Sequence, residues 1–243
     1  DYKKKINLLE KYNKFYYQNQ SPLVSDKEYD ELKNEILQLE KKHNFSNSKS
    51  PSIKVGYKPS KKYEKFKHKV KMLSLSNAFN KEDLINFQKK NINFLTLNKN
   101  YEFEYSVEPK IDGISASLSY KNGKLVKGLS RGDGEEGEDI TANLKTIKDI
   151  PLKISYTDFP EEIDIRGEVF IETSDFKKIE KDFANPRNAA SGSLRQKDPK
   201  KTELIPLKFI AYTFGFSSGM KVDKQSDFIK NLNKWGFKTS ELN

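Results

Sequence analysis

The segments Ser115–Tyr120 and Leu125–Leu129 flank the dipeptide Asn122-Gly123. Both residues of an Asn-Gly pair accept positive φ, as the two-residue turn of a tight hairpin requires, so these segments are expected to pair antiparallel. Residues 101–107 (YEFEYSV) alternate polar and apolar side chains and read as a further strand, as do Ile163–Phe170 and Leu207–Phe214. Short helices are expected near 174–182 and 226–235, the second stopped by Gly236. Strands and helices follow no regular βαβ alternation. That favours an α+β fold around a mixed, largely antiparallel sheet over a doubly wound one.

At the N-terminal end, Leu8, Leu9, Tyr12, Phe15 and Tyr16 recur at helical spacing over residues 4–18. Ser25-Asp26-Lys27-Glu28 reads as a capping box opening a second helix, whose stripe is Tyr29, Leu32, Ile36 and Leu39. The expected organisation is a small helical hairpin over residues 1–50, a linker rich in Ser, Asn, Lys and Pro over 44–62, and a second domain over 51–243. Hydrophobic residues reach only 35%, but 16 Phe and 12 Tyr can still supply core area. Without cysteine there is no disulfide, thiolate nucleophile or Cys-ligated metal within this sequence. His43 and His68 lie too far apart for an HExxH site, so no metal ligand is assigned. No apolar run approaches a membrane span, and no signal peptide opens the chain. The start at Asp1, without Met, suggests a trimmed piece of a soluble, intracellular protein.

The net charge is +10, which favours a polyanionic partner, although an A/T-rich genome would also inflate lysine. Of the basic residues only Arg131, Arg166, Arg187 and Arg195 are arginine. A chain that writes its charge as lysine should keep arginine where a planar fork is needed, for phosphate, carboxylate or ribose oxygens, while one or two of the four could instead be structural and bond carbonyls. Residues 53–71 carry eight lysines against Glu64 alone, which suits either a nucleic-acid face or a solvated linker. Gly132-Asp133-Gly134-Glu135-Glu136-Gly137 fits GxGxxG, but five acids against Arg131 over 131–139 would repel a pyrophosphate. A flexible, solvated loop is the expectation there. Lys110-Ile111-Asp112-Gly113 lies between two expected strands. Its lysine could be a nucleophile if something helps it lose a proton, or an ordinary surface lysine in a turn.

EPKIDGIS, SRGDGEEGEDITANLKTI, IRGEVF, FANPRNAASGSLRQ and KWGF occur in this order. Together they resemble the adenylation domain of bacterial NAD-dependent DNA ligases. YYQNQSPLVSDKEYDEL resembles the small helical domain of those enzymes, and MLSLSNAF their adenine-pocket segment. The likeness runs over nearly the whole chain.

The resemblance implies that Lys110 attacks the α-phosphate of NAD to form lysyl-AMP, expelling nicotinamide mononucleotide. It implies that Ser74, Leu75 and Glu108 line the adenine site, that Arg131 and Glu168 hold ribose and phosphate-side groups, and that Tyr212 stacks on adenine. Tyr16, Asp26, Tyr29 and Asp30 match the nicotinamide mononucleotide site, with Tyr17 where many relatives have His. Arg187 and Arg195 match a motif used around the nick and its phosphates. Lys71 stands where proline is frequent, and the segment between Phe176 and Phe183 is shorter than in many relatives. Family members continue past the point equivalent to Asn243 into further lysine-bearing strands and zinc-containing domains, so a fragment or a reduced relative is expected. The implied cofactors are NAD and Mg²⁺. The implied partner is nicked double-stranded DNA, met by a monomer in the bacterial cytoplasm, associated with the nucleoid. Two rivals keep part of this chemistry: an ATP-dependent ligase or capping-type nucleotidyltransferase, and an inactive module that only grips nicked DNA.

Overall fold

The computed structural model describes residues 2–15, 23–43, 50–52, 63–220 and 222–240. In chain order the elements are α1 (Tyr2–Lys14), α2 (Asp26–Lys42), β1 (Lys65–Lys67), α3 (Lys81–Phe94), β2 (Ile114–Lys121), β3 (Lys124–Ser130) and β4 (Glu136–Glu138). There follow α4 (Thr141–Leu144), β5 (Glu162–Phe170), α5 (Thr173–Phe176), α6 (Pro186–Leu194), α7 (Pro199–Glu203), β6 (Lys208–Ser217) and α8 (Gln225–Lys234). The expected α+β class is the one observed.

At the N-terminal end, the Glu28 amide donates to Ser25 Oγ at 3.3 Å and the Ser25 amide to Glu28 at 2.9 Å, the reciprocal capping box that starts α2. Leu9 of α1 and Ile36 of α2 are fully buried, so the two helices form the expected hairpin around an apolar seam. Buried Glu40 then ties the chain's exit back to its start. It accepts from Tyr2 of α1 at 2.7 Å and from Ser50 and Ser52 at 2.5 and 2.7 Å.

The main sheet is antiparallel, in the order β3-β2-β5-β6. The Asn122-Gly123 turn takes φ of 49° and 71°, which fits the right-handed twist of the strands it joins. One face of the sheet builds the core. Leu118 and Tyr120 of β2, Ile163, Ile165 and Val169 of β5, and Phe209 and Ala211 of β6 pack with Phe228, Ile229 and Leu232 of α8 and Ala189, Ala190 and Leu194 of α6. Rings dominate one end: Tyr120 stands edge-on to Phe159 and Phe237 at 5.7 and 5.8 Å, and Phe159 edge-on to Trp235 at 4.8 Å. The Tyr120 hydroxyl, pushed far up by burial, donates to the Pro151 carbonyl at 2.7 Å. Gly236, at φ 90°, ends α8 as expected.

Three expectations need correction. Residues 101–107 are extended but join no ladder among the described residues. Phe103 instead meets Tyr101 edge-on at 5.0 Å and Tyr105 at a tilt at 5.8 Å, with Phe87 of α3 6.4 Å from Tyr105. Alternation marks a strand's two faces but does not provide the neighbour that a ladder needs. The expected helix near 174–182 is only the single turn α5.

The glycine-rich acidic stretch is not a flexible solvated loop. Gly132 and Gly134 take φ of 58° and 90°, and a Cβ on Gly132 would meet the Glu136 carbonyl at 1.8 Å, so the turn is tight. The stretch then runs into β4, which pairs with β1 in the register Lys65↔Glu138 and Lys67↔Glu136, and Lys71 bonds Glu135 at 2.6 Å. The acid-rich turn and the described part of the lysine-rich segment are therefore partners.

Candidate active site

Side chains alternate along a strand, so the sheet face opposite the core carries the other set. In the β2–β5 register Ser115 lies opposite Glu168, Ser117 opposite Arg166, and Ser119 opposite Asp164. These three charged residues are all buried, an arrangement that is costly unless each is bonded. Each is. Asp164 accepts from Ser119 Oγ at 2.6 Å, and Glu168 from Ser115 Oγ at 2.9 Å. The Arg166 guanidinium donates to the Lys71 carbonyl at 3.2 Å and to the Val70 carbonyl. Of the four arginines, Arg166 thus uses its fork on the chain's own carbonyls. It fastens the segment leading to Ser74 and Leu75 onto the polar face. Two backbone clips assist: the His68 amide donates to Glu135 O and the Met72 amide to Gly134 O, both at 2.9 Å.

Glu168 is the focus of the remaining charges. Burial pushes its carboxyl up, and the Ser115 hydrogen bond with the positive charges of Arg187, Lys110 and Arg131 pulls the other way. Tyr212 of β6 faces the same group: burial and the Glu168 charge push its phenol up, while Ser115, Arg131 and Arg166 ease it down. Lys110, Arg131, Glu168 and Tyr212, separated widely in sequence, are thereby gathered at one end of the polar face. Lys110 is exposed, at the end of the extended segment that enters β2.

Arg187, near the start of α6, joins this cluster and bonds Asp112 at 3.0 Å. Arg195, at the other end of α6, does not; its Nε bonds Glu138 at 3.1 Å and its carbonyl accepts from the Tyr63 hydroxyl. Glu108 is half-buried and accepts from Gln225 Nε2 at 3.1 Å, and the same Nε2 donates to the Tyr212 carbonyl at 2.7 Å. Ser74 and Leu75 lie on the segment held by Arg166 and are exposed, Leu75 to 77%. On α2, Asp30 accepts from Asn77 of that same segment, and Tyr29 donates to Asn13 of α1 at 2.7 Å. Asp26 opens α2, its side chain lying outside the described residues, as do Tyr16, Tyr17 and residues 53–62.

Sequence reading missed two residues of this region: Ser115 and Gln225. Ser115 and Gln225 are common polar residues in ordinary-looking strand and helix-start contexts. Only the β2–β5 register and the packing of α8 on β6 bring them to the site. Asp112 stood out in the sequence as a flank of Lys110, but its pairing with Arg187 did not.

The polar end of this antiparallel sheet thus gathers a lysine, a buried carboxylate and two arginines. Residues 60–243 match the family described as the NAD-dependent DNA ligase adenylation domain, and residues 2–56 the DNA ligase-like, N-terminal NAD⁺-binding domain. A protein of Pelagibacter ubique named DNA ligase is 63% identical over the whole of this chain and 36% of its own length. DNA ligases of Rickettsia massiliae and Thermodesulfovibrio yellowstonii are 47% and 46% identical over 95% and 98% of this chain. The chain belongs to the NAD-dependent DNA ligase family. It spans about a third of the length of these curated relatives, 34–37%.

Proposed function

We propose that the protein catalyses the adenylation step of NAD-dependent DNA ligation, with Lys110 as nucleophile. The observation that carries this is the convergence of Lys110, Arg131, Glu168, Arg187 and Tyr212 at one end of the polar sheet face. Once deprotonated, Lys110 Nζ attacks the α-phosphorus of NAD. The N–P bond forms as the bridging P–O bond breaks, nicotinamide mononucleotide leaves with the electron pair, and the amine proton passes to solvent. Glu168 accepts from ribose hydroxyls, Arg131 and Arg187 neutralise phosphate charge, and the Tyr212 ring stacks on adenine with Ser74, Leu75 and Glu108 around the base. No cluster of three or more His, Asp or Glu among the described residues could hold a metal ion. Mg²⁺, when bound, would supply positive charge to the leaving group.

The helical hairpin, residues 1–50, is assigned to nicotinamide mononucleotide through Tyr16, Asp26, Tyr29 and Asp30, and residues 51–243 to adenylation. The family matches over 2–56 and 60–243 support that division, and the Asp30–Asn77 hydrogen bond supports a nucleotide shared between the two parts. The eventual acceptor is the 5′-phosphate of a nick in duplex DNA, met by a monomer in the bacterial cytoplasm, at the nucleoid. No helix among the described residues is long and apolar enough to cross a membrane.

Intact mass of the whole protein after incubation with NAD and Mg²⁺ tests the reading. One adenylyl group should be gained, and none by Lys110→Arg, because a guanidinium stays protonated. Adduct in that variant would remove Lys110 from the role. Equal labelling by ATP would replace the cofactor, and no labelling of the wild type would leave only a DNA-binding module.

A further inference from the structure

Ser115 lies directly opposite Glu168 in the β2–β5 register and donates to its carboxylate at 2.9 Å. Tyr212 of β6 faces the same pair, and Ser115 eases its phenol down. A hydroxyl has one proton, and Ser115 places it on Glu168. The backbone beneath it has little freedom. A Cβ on Gly113 would meet the Val169 carbonyl at 2.2 Å, so the start of β2 lies flush against β5 and the serine cannot drift from the carboxylate.

We propose that Ser115 is a positioning residue for adenylation, holding the Glu168 carboxylate in the arrangement that receives the ribose. This rests on the reading of Lys110, Glu168 and Tyr212 as the nucleotide site. Ser115 touches no reacting atom; it acts through Glu168. The charged groups around Glu168 are Lys110, Arg131 and Arg187, and Tyr212 also feels Arg166. All four cations favour ionised Glu168 or Tyr212. Ser115 is the neutral member of the set and donates directly to the carboxylate.

The test compares the intact wild-type protein with Ser115→Ala and Ser115→Thr in single-turnover labelling by NAD, as a function of NAD concentration and of pH. Ser115→Ala should raise the half-saturating NAD concentration about tenfold, as for loss of one hydrogen bond to a charged group, and change the saturating rate far less. Its acid limb should move to higher pH, because ionised Glu168 has lost a donor. Ser115→Thr keeps the hydroxyl and should restore both values. Wild-type half-saturation and an unmoved acid limb in Ser115→Ala would overturn the proposal, as would equal losses in both variants. Failure of the wild type to label on Lys110 would instead overturn the underlying reading, a distinct result.

Discussion

Arg166 and His68 show how single residues set the site without touching the chemistry. One lysine ammonium could not span the Val70 and Lys71 carbonyls as the Arg166 fork does, and a Cβ on Gly215 would meet its Nη2 at 2.6 Å. That physical requirement explains why arginine was retained here in a lysine-rich chain, and its rarity made it visible. What the sequence could not reveal was the pair of carbonyls it binds, nearly a hundred residues away. His68 Nε2 meets the Arg131 carbonyl at 3.1 Å, and its ring lies between the polar face and the acidic turn. Burial depresses its pKa, helped by Arg166 and opposed by the Arg131 and Ser130 carbonyls and by Asp164. A histidine held more neutral in the folded state contributes stability that is complete above its unfolded pKa, about 6.5. That contribution is lost as pH falls through this value towards the folded one. The thermal midpoint should therefore drop between pH 7.5 and 5.5 by more in the wild type than in His68→Gln. Equal drops would show that His68 is not the titrating group.

At the scale of elements, features with their own local chemistry were legible and those made by tertiary pairing were not. The capping box, the Asn-Gly turn, β5, β6 and the Gly236 stop all rest on residues within a few positions of one another. The helix α3 was missed although Asn80 caps it, its side chain accepting from the Asp83 amide at 2.9 Å, and Glu82 and Asp83 occupy its first turn. Its apolar residues form no buried stripe: Ile92 alone is buried, and Phe94 is 87% exposed. The pairing of the lysine-rich strand with the acid-rich turn was invisible for a different reason. Each segment's charge reads as solvated until its complement is brought alongside. The hairpin offers a clean check. Gly123 has φ 71°, and a Cβ there would lie 2.0 Å from the Ile154 carbonyl, which belongs to the residue donating to Gly123 O at 2.7 Å. Gly123→Ala should cost about 1–3 kcal/mol from the left-handed conformation alone, more with the clash, read as a lower urea midpoint. An unchanged midpoint would mean that the turn relaxes freely.

For the whole molecule, the two arginines carried over to DNA separate into two jobs. They sit at opposite ends of α6, roughly 12 Å apart at 1.5 Å per residue. Arg187 shares the field of Glu168 and bonds Asp112, two residues from Lys110. Arg195 is anchored through Nε by Glu138, a carboxylate only 1% exposed, while its own side chain is 38% exposed. A buried carboxylate beneath a half-exposed guanidinium orients its outer edge towards solvent, as a phosphate contact requires. The lysines of β1 run beside it, but Glu136 and Glu138 lie opposite them, so net charge of +10 does not concentrate on that strand. The expected outcome is a separation of functions in the intact protein. Arg187→Ala should slow labelling of Lys110 by NAD, because the site loses a cation that favours ionised Glu168. Arg195→Ala should leave labelling within about twofold but weaken binding to a nicked duplex, with the slope of log K against log salt shallower by about 0.9, one phosphate contact. Titrating fluorescent nicked DNA at several salt concentrations, alongside labelling by mass, measures both. An Arg195→Ala protein that labels as poorly as Arg187→Ala, or whose salt slope matches the wild type, would return both arginines to a single site.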